Sequence, residues 1–135
     1  MSHKTATVYM VDDDSSFRKS LRRLVTAMGF HVIDFESAQS FLNETKYQTP
    51  ACLILDINLP VMDGFDLHDQ LIRQGVKIPV IFVTGQANVT LSVQAMKKGA
   101  VDFLQKPFSS QQIEQAINHA IELDQRGYKR RKTDI

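Results

Sequence analysis

Short apolar runs alternate with amphipathic stretches five times along this chain, and this alternation constrains the fold more than any other feature of the sequence. The runs cover Thr5–Val11, Phe30–Phe35, Ala51–Leu55, Pro79–Val83 and Ala100–Gln105. The third and fourth runs lack polar alternation, as expected of central parallel strands that are covered on both faces. Five such strand–helix units predict an α/β fold, a doubly wound parallel sheet with right-handed crossovers.

The stretches between the runs have helical periodicity and recognisable ends. We predict five helices, which begin at Ser15, Ser37, Phe65, Asn88 and Ser109. Serine and asparagine are common helix caps, and a glycine soon follows the first, third and fourth helices, as is frequent at helix C-termini. Asp14 suits the positive end of a helix dipole as well as it suits a site. The pair Asp63–Gly64 is interpreted as a turn.

The fourth predicted helix carries an apolar face. Val89, Val93 and Met96 share this face, which we interpret mainly as core. Leu91 lies off the face, and a second hypothesis places it in an apolar patch for dimerisation. The fifth-helix residues that would share this patch are Ile113 or Ile117.

Length and composition point to one globular domain. The chain has 135 residues, of which 43% are hydrophobic and 23% are charged, and this balance excludes disorder for most of its length. No apolar run approaches the roughly 18–20 residues of a membrane helix. The apolar segment after the first residues is too short for a secretory signal. We therefore expect a cytoplasmic protein that makes no contact with a membrane.

Cysteine and histidine carry no metal-site or disulfide pattern. Cys52 is the single cysteine, so no disulfide forms within the chain, and its place in a predicted strand indicates a small buried hydrophobe. The histidines have no ligand spacing, and surface or satisfied positions are expected for His3, His31, His68 and His119.

Charge is distributed unevenly along the chain. Residues 126–135 contain five Lys or Arg and one Asp, a net charge of +4, whereas the rest of the chain has a net charge of −3. A nucleic-acid-binding arm is one interpretation of this basic segment. We interpret residues 124–135 instead as a solvated helix end or an interdomain linker, because nothing in the chain forms a base-reading module. No direct contact with nucleic acid is expected.

Polar side chains that could form a site follow four of the five predicted strands, whereas the polar residues after the second strand are interpreted as a helix start. Asp12 and Asp13 follow the first strand, Asp56 the third, Thr84 the fourth and Lys106 the fifth. Open α/β sheets bind ligands beyond the carboxyl ends of their strands. If the strands are ordered 2-1-3-4-5, these four strands are neighbours and their polar side chains converge on one rim. That convergence is the strongest functional signal in the sequence.

This set of side chains suits phosphoryl transfer. Carboxylates of Asp12, Asp13 and Asp56 would repel one another, and Mg²⁺ relieves such repulsion in sites that also hold water and phosphoryl oxygens. An aspartate beside Mg²⁺ can act as a nucleophile that takes the phosphoryl group as an acyl phosphate. Thr84 offers a hydroxyl and Lys106 a positive charge for the phosphoryl oxygens.

The segments at the strand ends match the motifs of a known family. In family order they are Val11–Asp13, Leu55–Pro60, Met62–Gly64, Val83–Gly85 and Asp102–Phe108. Together they resemble bacterial two-component response-regulator receiver domains, over nearly the whole chain. The segments 84–86 and 93–108 are similar to the FixJ-like branch. The resemblance implies a flavodoxin-like (βα)5 fold with strand order 2-1-3-4-5 and a receiver domain over residues 4–123.

The resemblance also implies residue roles at the acidic rim. Asp56 would be phosphorylated by a sensor histidine kinase, with Thr84 and Lys106 in contact with the phosphoryl group. Mg²⁺ would be bound by the side chains of Asp13 and Asp56, by the backbone carbonyl of Asn58, and by Asp12 mostly through water. The Lys106–Pro107 peptide bond is expected to be cis.

A switch and its partners follow from the same resemblance. Thr84 would move toward the phosphoryl group, and Phe103, where many relatives have Tyr, would pack into the vacated space. The surface of the fourth helix, fifth strand and fifth helix would then change and support a homodimer or control a DNA-binding effector domain beyond this chain. Asn58 and Gln86 match positions that tune phosphoryl hydrolysis. We expect a signalling switch and not a multiple-turnover enzyme.

Three alternative functions share part of this pattern. A phosphatase of the haloacid-dehalogenase type needs a second Asp two residues after the nucleophile, where this chain has Asn58. A flavin site needs a hydroxyl-rich phosphate loop, whereas Asp12–Asp14 would repel a phosphate that lacks a metal. A pseudo-receiver that only binds partners tends to lose an acid or the lysine, and this chain retains Asp12, Asp13, Asp56 and Lys106.

Overall fold

The computed structural model describes residues 6–44, 46–86 and 88–133, with side chains along the last helix as far as residue 126. Five strands alternate with five helices. They are β1 Thr7–Val11, α1 Ser15–Ala27, β2 His31–Phe35, α2 Ala38–Leu42, β3 Ala51–Asp56, α3 Gly64–Arg73, β4 Val80–Thr84, α4 Val89–Lys97, β5 Asp102–Gln105 and α5 Ser110–Thr133. Every predicted strand and helix is present, with ends that differ by one or two residues for most elements. Thr5 and His3 lie outside the described residues.

The sheet is parallel, with the order β2-β1-β3-β4-β5. This is the flavodoxin-like arrangement expected. Its register aligns the carboxyl ends of the strands, since Val11 pairs with Leu55 and Thr84 with Gln105. Asp12 therefore lies beside Asp56, and Lys106 directly follows the strand next to Thr84.

Helices cover both faces of the sheet, which produces two apolar cores. One core lies between the sheet and helices α1 and α5, and it includes Cys52, which is fully buried as predicted. The other lies between the sheet and helices α2, α3 and α4. Residues 80–83 and 51–55 alternate between the two cores, which explains the unbroken apolar runs of the central strands. No described helix combines the length and apolar character needed to cross a membrane.

Side-chain caps fix where the helices begin. Asn88 and Ser109 accept the backbone N–H groups of Leu91 and Gln112, as predicted. Asp14 caps α1 by accepting from the second and third residues of the helix, so Ser15 is the first helical residue and not the cap. The interpretation of Asp63–Gly64 as a turn is wrong, because Asp63 caps α3 and Gly64 begins it.

The apolar face of α4 is exposed to solvent and is not core. Val89, Val93 and Met96 are 78%, 44% and 50% exposed, while the small side chain of Ala95 is the buried residue of this helix. The periodicity predicted the apolar face of α4 correctly but not what covers that face. An apolar stripe has the same sequence pattern whether it packs in the core of its own chain or against another molecule. The patch shared by Leu91 with the fifth helix is also wrong. The two α5 residues proposed for it, Ile113 and Ile117, are fully buried in the core between α5 and the sheet.

Candidate phosphoacceptor site

The carboxyl ends of the strands hold Asp56 between a backbone amide and an ammonium group. Asp56 Oδ1 accepts the N–H of Asn58 at 2.9 Å, and Asp56 Oδ2 lies 3.2 Å from Lys106 Nζ. Lys106 Nζ also donates to Asp12 Oδ2 at 2.7 Å. Asp56 is 5% exposed and Asp12 is 2% exposed, so the two carboxylates are shielded from water. The sheet thus brings three predicted site residues into direct contact.

Asp13 completes a group of three acidic side chains at this rim. One carboxylate oxygen from each of Asp12, Asp13 and Asp56 lies within 4.8 Å of the other two. Asp13 is exposed, in contrast to its two neighbours. The pKa of Asp12 is raised, because burial disfavours its charged form and Asp56 adds like-charge repulsion, against the hydrogen bonds from Lys106 and Asp14. Oxygen donors with excess negative charge fit a hard divalent cation such as Mg²⁺.

Lys106 neutralises part of this negative charge. Burial alone would lower the pKa of its ammonium group, but the hydrogen bonds and charges of Asp12 and Asp56 outweigh burial and raise that pKa. The Lys106–Pro107 peptide bond is cis, as the resemblance implies. A second cis bond joins Thr49 and Pro50, which sequence reasoning did not predict. Lys106 is therefore a charged, well-placed ligand for an anion at this rim.

Thr84 is linked to the same rim through Asn58. The hydroxyl oxygen of Thr84 accepts the side-chain amide of Asn58 at 2.9 Å and the backbone N–H of Gln86 at 3.2 Å. Thr84 is fully buried. Sequence reasoning assigned Asn58 a backbone carbonyl and missed its side-chain contact. The signal was available, since a residue just after β3 lies beside the end of β4 in this strand order.

Phe103 lies on the face of the sheet that bears Thr84. It pairs with Phe82 in the neighbouring strand, and side chains two apart in a strand share a face. Phe103 is half-buried and packs against the core beneath helices α2, α3 and α4. The predicted switch pair is therefore on one side of the sheet, next to α4.

Two supporting residues were missed at the sequence level. Gly64 lies so close to β3 that an added Cβ would be 2.4 Å from the carbonyl oxygen of Asp56, and its N–H donates to Ile57. Arg18 donates to the backbone carbonyl of Asp12 at 2.8 Å and to Asp34 at 3.0 Å. Both contacts hold the loops that carry the acidic side chains. Sequence reasoning named Gly64 in a turn and a motif without this role, and an arginine on α1 is too common to single out.

A family model for the response regulator receiver domain matches residues 8–118. The chain belongs to the response regulator receiver domain family. This receiver domain is 41% identical over 128 residues to Nodulation protein W of Bradyrhizobium diazoefficiens, covering 95% of this chain and 56% of that protein. It is 39% identical over 114 residues to Transcriptional regulatory protein FixJ of the same species, covering 84% of this chain and 56% of that protein.

A solved structure agrees with these sequence matches. The crystal structure of FixJ-N superposes on the receiver domain with a TM-score of 0.82 and 39% identity, covering 90% of this chain and 96% of that one. The predicted similarity to the FixJ-like branch is confirmed. The chain spans about half the length of the curated relatives it matches. The family is one of two-component signalling proteins, and it includes transcriptional regulators among these relatives.

Proposed function

We propose that this receiver domain is a phosphorylation-dependent switch in which Asp56 accepts a phosphoryl group from the phosphohistidine of a sensor kinase. The observation that carries the proposal is the environment of the Asp56 carboxylate. It is buried at a strand end, held by the N–H of Asn58 and the ammonium of Lys106, beside two further carboxylates. A nucleophile needs such fixed orientation for an in-line displacement.

The transfer requires one bond to form and one to break. A carboxylate oxygen of Asp56 attacks phosphorus, and the P–N bond to the donor imidazole breaks. The electron pair of that bond stays on the imidazole nitrogen, which takes a proton from solvent. The product is an acyl phosphate on Asp56. Lys106 and Thr84 would then bind phosphoryl oxygens, one through its ammonium group and the other through its hydroxyl.

The acidic group is suited to hold Mg²⁺. We assign ligation to the side chains of Asp13 and Asp56 and the backbone carbonyl of Asn58, with Asp12 acting through water. When bound, Mg²⁺ supplies positive charge against the carboxylates and the phosphoryl oxygens. The close approach of the three carboxylates supports this assignment, because without a cation only Lys106 balances their charge within the described site.

The phosphoryl group would act on the surface through Thr84 and Phe103. Recruitment of Thr84 to the phosphoryl oxygens would open space beside it, and Phe103 would shift into that space by packing alone. Two states that pre-exist would change in population. Helix α4 would respond, because it packs against β5 on the face of the sheet that bears Phe103. Its exposed stripe of Val89, Val93 and Met96 is where a homodimer through α4, β5 and α5 would form.

The output would be control of transcription through a DNA-binding effector domain. Similarity to a transcriptional regulatory protein about twice the matched length supports this. Residues 4–123 would be the receiver, and residues 124–135 a basic helix extension or the start of a linker, with DNA contacts made by the effector alone. The setting would be the cytoplasm, and the chain would turn over its own phosphoryl group without acting as a metabolic enzyme.

Chemical trapping tests the assignment of Asp56. Borohydride reduces an acyl phosphate of aspartate to homoserine, which tandem mass spectrometry locates in a peptide. After treatment with acetyl phosphate and Mg²⁺ we expect homoserine at position 56. Homoserine at Asp12 or Asp13, with Asp56 unmodified, would overturn the proposal. Asp66, an exposed aspartate of the first turn of α3, serves as an internal control that stays unmodified.

A further inference from the structure

An aromatic ring faces the ammonium group at the centre of the site. Lys106 Nζ lies over the ring of Phe17, 4.0 Å from the ring centroid. A lysine ammonium carries three N–H donors, and two carboxylate oxygens, from Asp12 and Asp56, lie within hydrogen-bond distance of it. The ring covers part of the remaining surface of the ammonium group.

We propose that Phe17 is a positioning residue that holds the Lys106 ammonium against the acceptor carboxylate through a cation–π contact. This inference rests on the proposed function of Asp56 and names a residue of α1 that acts on it through Lys106. The negative face of an aromatic ring attracts a cation at this distance, and the attraction grows where water is excluded. Lys106 is 19% exposed at its side chain, so the contact is largely shielded.

The ring is itself held by the segment that bears the lysine. Phe17 packs edge to face with Phe108, with ring centroids 5.9 Å apart and an interplanar angle of 86°. Phe108 lies two residues after Lys106. Phe17 therefore contacts both ends of the Lys106–Phe108 segment and ties the β5–α5 connection to α1. A leucine of similar apolarity would fill part of the same space without a quadrupole to attract the ammonium group.

A ring also suits a cation that must change partners. When Asp56 is phosphorylated, Lys106 has to exchange a carboxylate oxygen for a phosphoryl oxygen. A third acceptor atom would fix the ammonium at one point, whereas a π face attracts it over an area and lets it shift. Phe17 would then keep Lys106 at the site in both states, so removing the ring slows phosphorylation without removing any reacting atom.

Two variants distinguish the effect of the aromatic ring from that of the space the side chain fills. Phe17→Leu keeps an apolar side chain without a ring, and Phe17→Tyr keeps the ring. With acetyl phosphate and Mg²⁺, we expect Phe17→Leu to accept a phosphoryl group about tenfold more slowly, equivalent to about 1.4 kcal/mol, within the usual range of a shielded cation–π contact. Phe17→Tyr is expected to retain the parent rate within about twofold. Circular dichroism checks folding, and Phe17→Met replaces the leucine variant if that variant does not fold.

A spectroscopic signature tests the contact without any reaction. Protons on the Lys106 ε-carbon should resonate upfield in the parent and in Phe17→Tyr, because the nitrogen bonded to that carbon lies over the ring. They should return to ordinary lysine positions in Phe17→Leu. Phe65→Leu is the matched control. It removes the ring 5.5 Å from Lys98 Nζ and should leave the Lys106 signals and the phosphorylation rate unchanged.

The outcomes distinguish this inference from the function on which it rests. If the parent chain gains no phosphoryl group, the proposed function fails whatever the variants do. If the parent reacts and Phe17→Leu reacts equally fast, the positioning role is overturned. A tyrosine variant as slow as the leucine variant, or Lys106 protons unshifted in the parent, would also overturn it.

Discussion

The side-chain amide of Asn58 donates to the hydroxyl of Thr84 at 2.9 Å, and the backbone N–H of the same residue donates to Asp56 at 2.9 Å. One residue therefore bonds both the proposed acceptor and the proposed switch. While the amide donates to the Thr84 oxygen, it restrains the position of the hydroxyl, whose O–H is the donor that a phosphoryl oxygen would accept. We infer that this hydrogen bond stabilises the resting state and has to break for Thr84 to move.

Removal of this amide should loosen the switch. In unphosphorylated Asn58→Ala, Thr84 loses one of two donors, and a hydrogen bond contributes about 1 kcal/mol, so the minor state should gain roughly fivefold in population. NMR relaxation dispersion at Phe103 measures that population. Asn43→Ala, which removes an exposed amide at the C-terminal cap of α2, is the control and should leave that population unchanged. An unchanged population of the minor state in Asn58→Ala would contradict the inference that the Asn58–Thr84 hydrogen bond stabilises the resting state.

Gly64→Ala should distort the end of β3. The new Cβ would lie 2.4 Å from the carbonyl oxygen of Asp56 and 2.8 Å from Cα of Ile57, so backbone atoms must move. Overpacking of this kind costs about 1–3 kcal/mol, and we expect a lower free energy of unfolding and slower phosphorylation. Gly85→Ala is the matched control, because nothing lies within 4 Å of its added Cβ. Equal stability of the two variants in urea denaturation would refute the close approach.

His68 should make stability depend on pH in the acidic range. Burial, and the nearby charge of Lys98, lower the pKa of this imidazole below its ordinary 6.5, against a smaller opposing effect of Asp69. The unfolded chain thus binds a proton more readily than the folded one, so this contribution is complete above pH 6.5 and is lost as pH falls toward the lowered pKa. His68→Leu should remove this slope.

The same variant should also raise stability at neutral pH. Within the described part of the chain, Nδ1 of His68 is buried without a hydrogen-bond partner, and such an atom costs about 1–3 kcal/mol. We therefore expect His68→Leu to gain about 1 kcal/mol in urea denaturation at pH 7.5. His119→Leu, at an exposed position of α5, is the control. A parent and a His68→Leu variant with the same pH profile would show that the imidazole titrates normally.

The exposed stripe of α4 should govern self-association of the phosphorylated form. Val93→Glu places a charge within this stripe and should abolish a dimer that forms there. Phosphorylation should stay within about twofold of the parent rate, since Val93 is 44% exposed on α4 and is not one of the proposed site residues. Light scattering after size exclusion measures the mass. Ile72→Glu, at a 55% exposed position of α3, is the control and should dimerise normally. A dimer that survives Val93→Glu would move the interface elsewhere.

The sequence predicted the elements well because each has a local signal. Periodicity, apolar runs and capping residues such as Asn88 are properties of short segments. The sequence did not predict which apolar helix faces are covered by another segment of the same chain. Val93 and Leu21 both lie on apolar helical stripes. Val93 is exposed, whereas Leu21 is buried between α1 and the sheet. Only the tertiary arrangement distinguishes them.

The site shows the same division. Asp12, Asp56, Thr84 and Lys106 were predicted to converge because their places at strand ends follow from topology, and the structure brings them together. The contacts made by Phe17 and Asn58 depend on side-chain rotamers and on the paths of loops. Residue spacing in the sequence predicts neither. Sequence reasoning named Asn58 for its backbone carbonyl and for a position that tunes hydrolysis, and it assigned no role to the ring over Lys106. Their roles became visible only through distances.

The central claim is that Asp56 accepts a phosphoryl group with the help of the acidic cluster. Intact mass after incubation with acetyl phosphate, with and without Mg²⁺, tests it most directly, on the parent chain, Asp56→Asn and the control Asp66→Asn. We predict the gain of one phosphoryl group in the parent and in Asp66→Asn, dependent on Mg²⁺ and absent from Asp56→Asn. An adduct that persists in Asp56→Asn, or none in a folded parent with no phosphate released, would contradict the account.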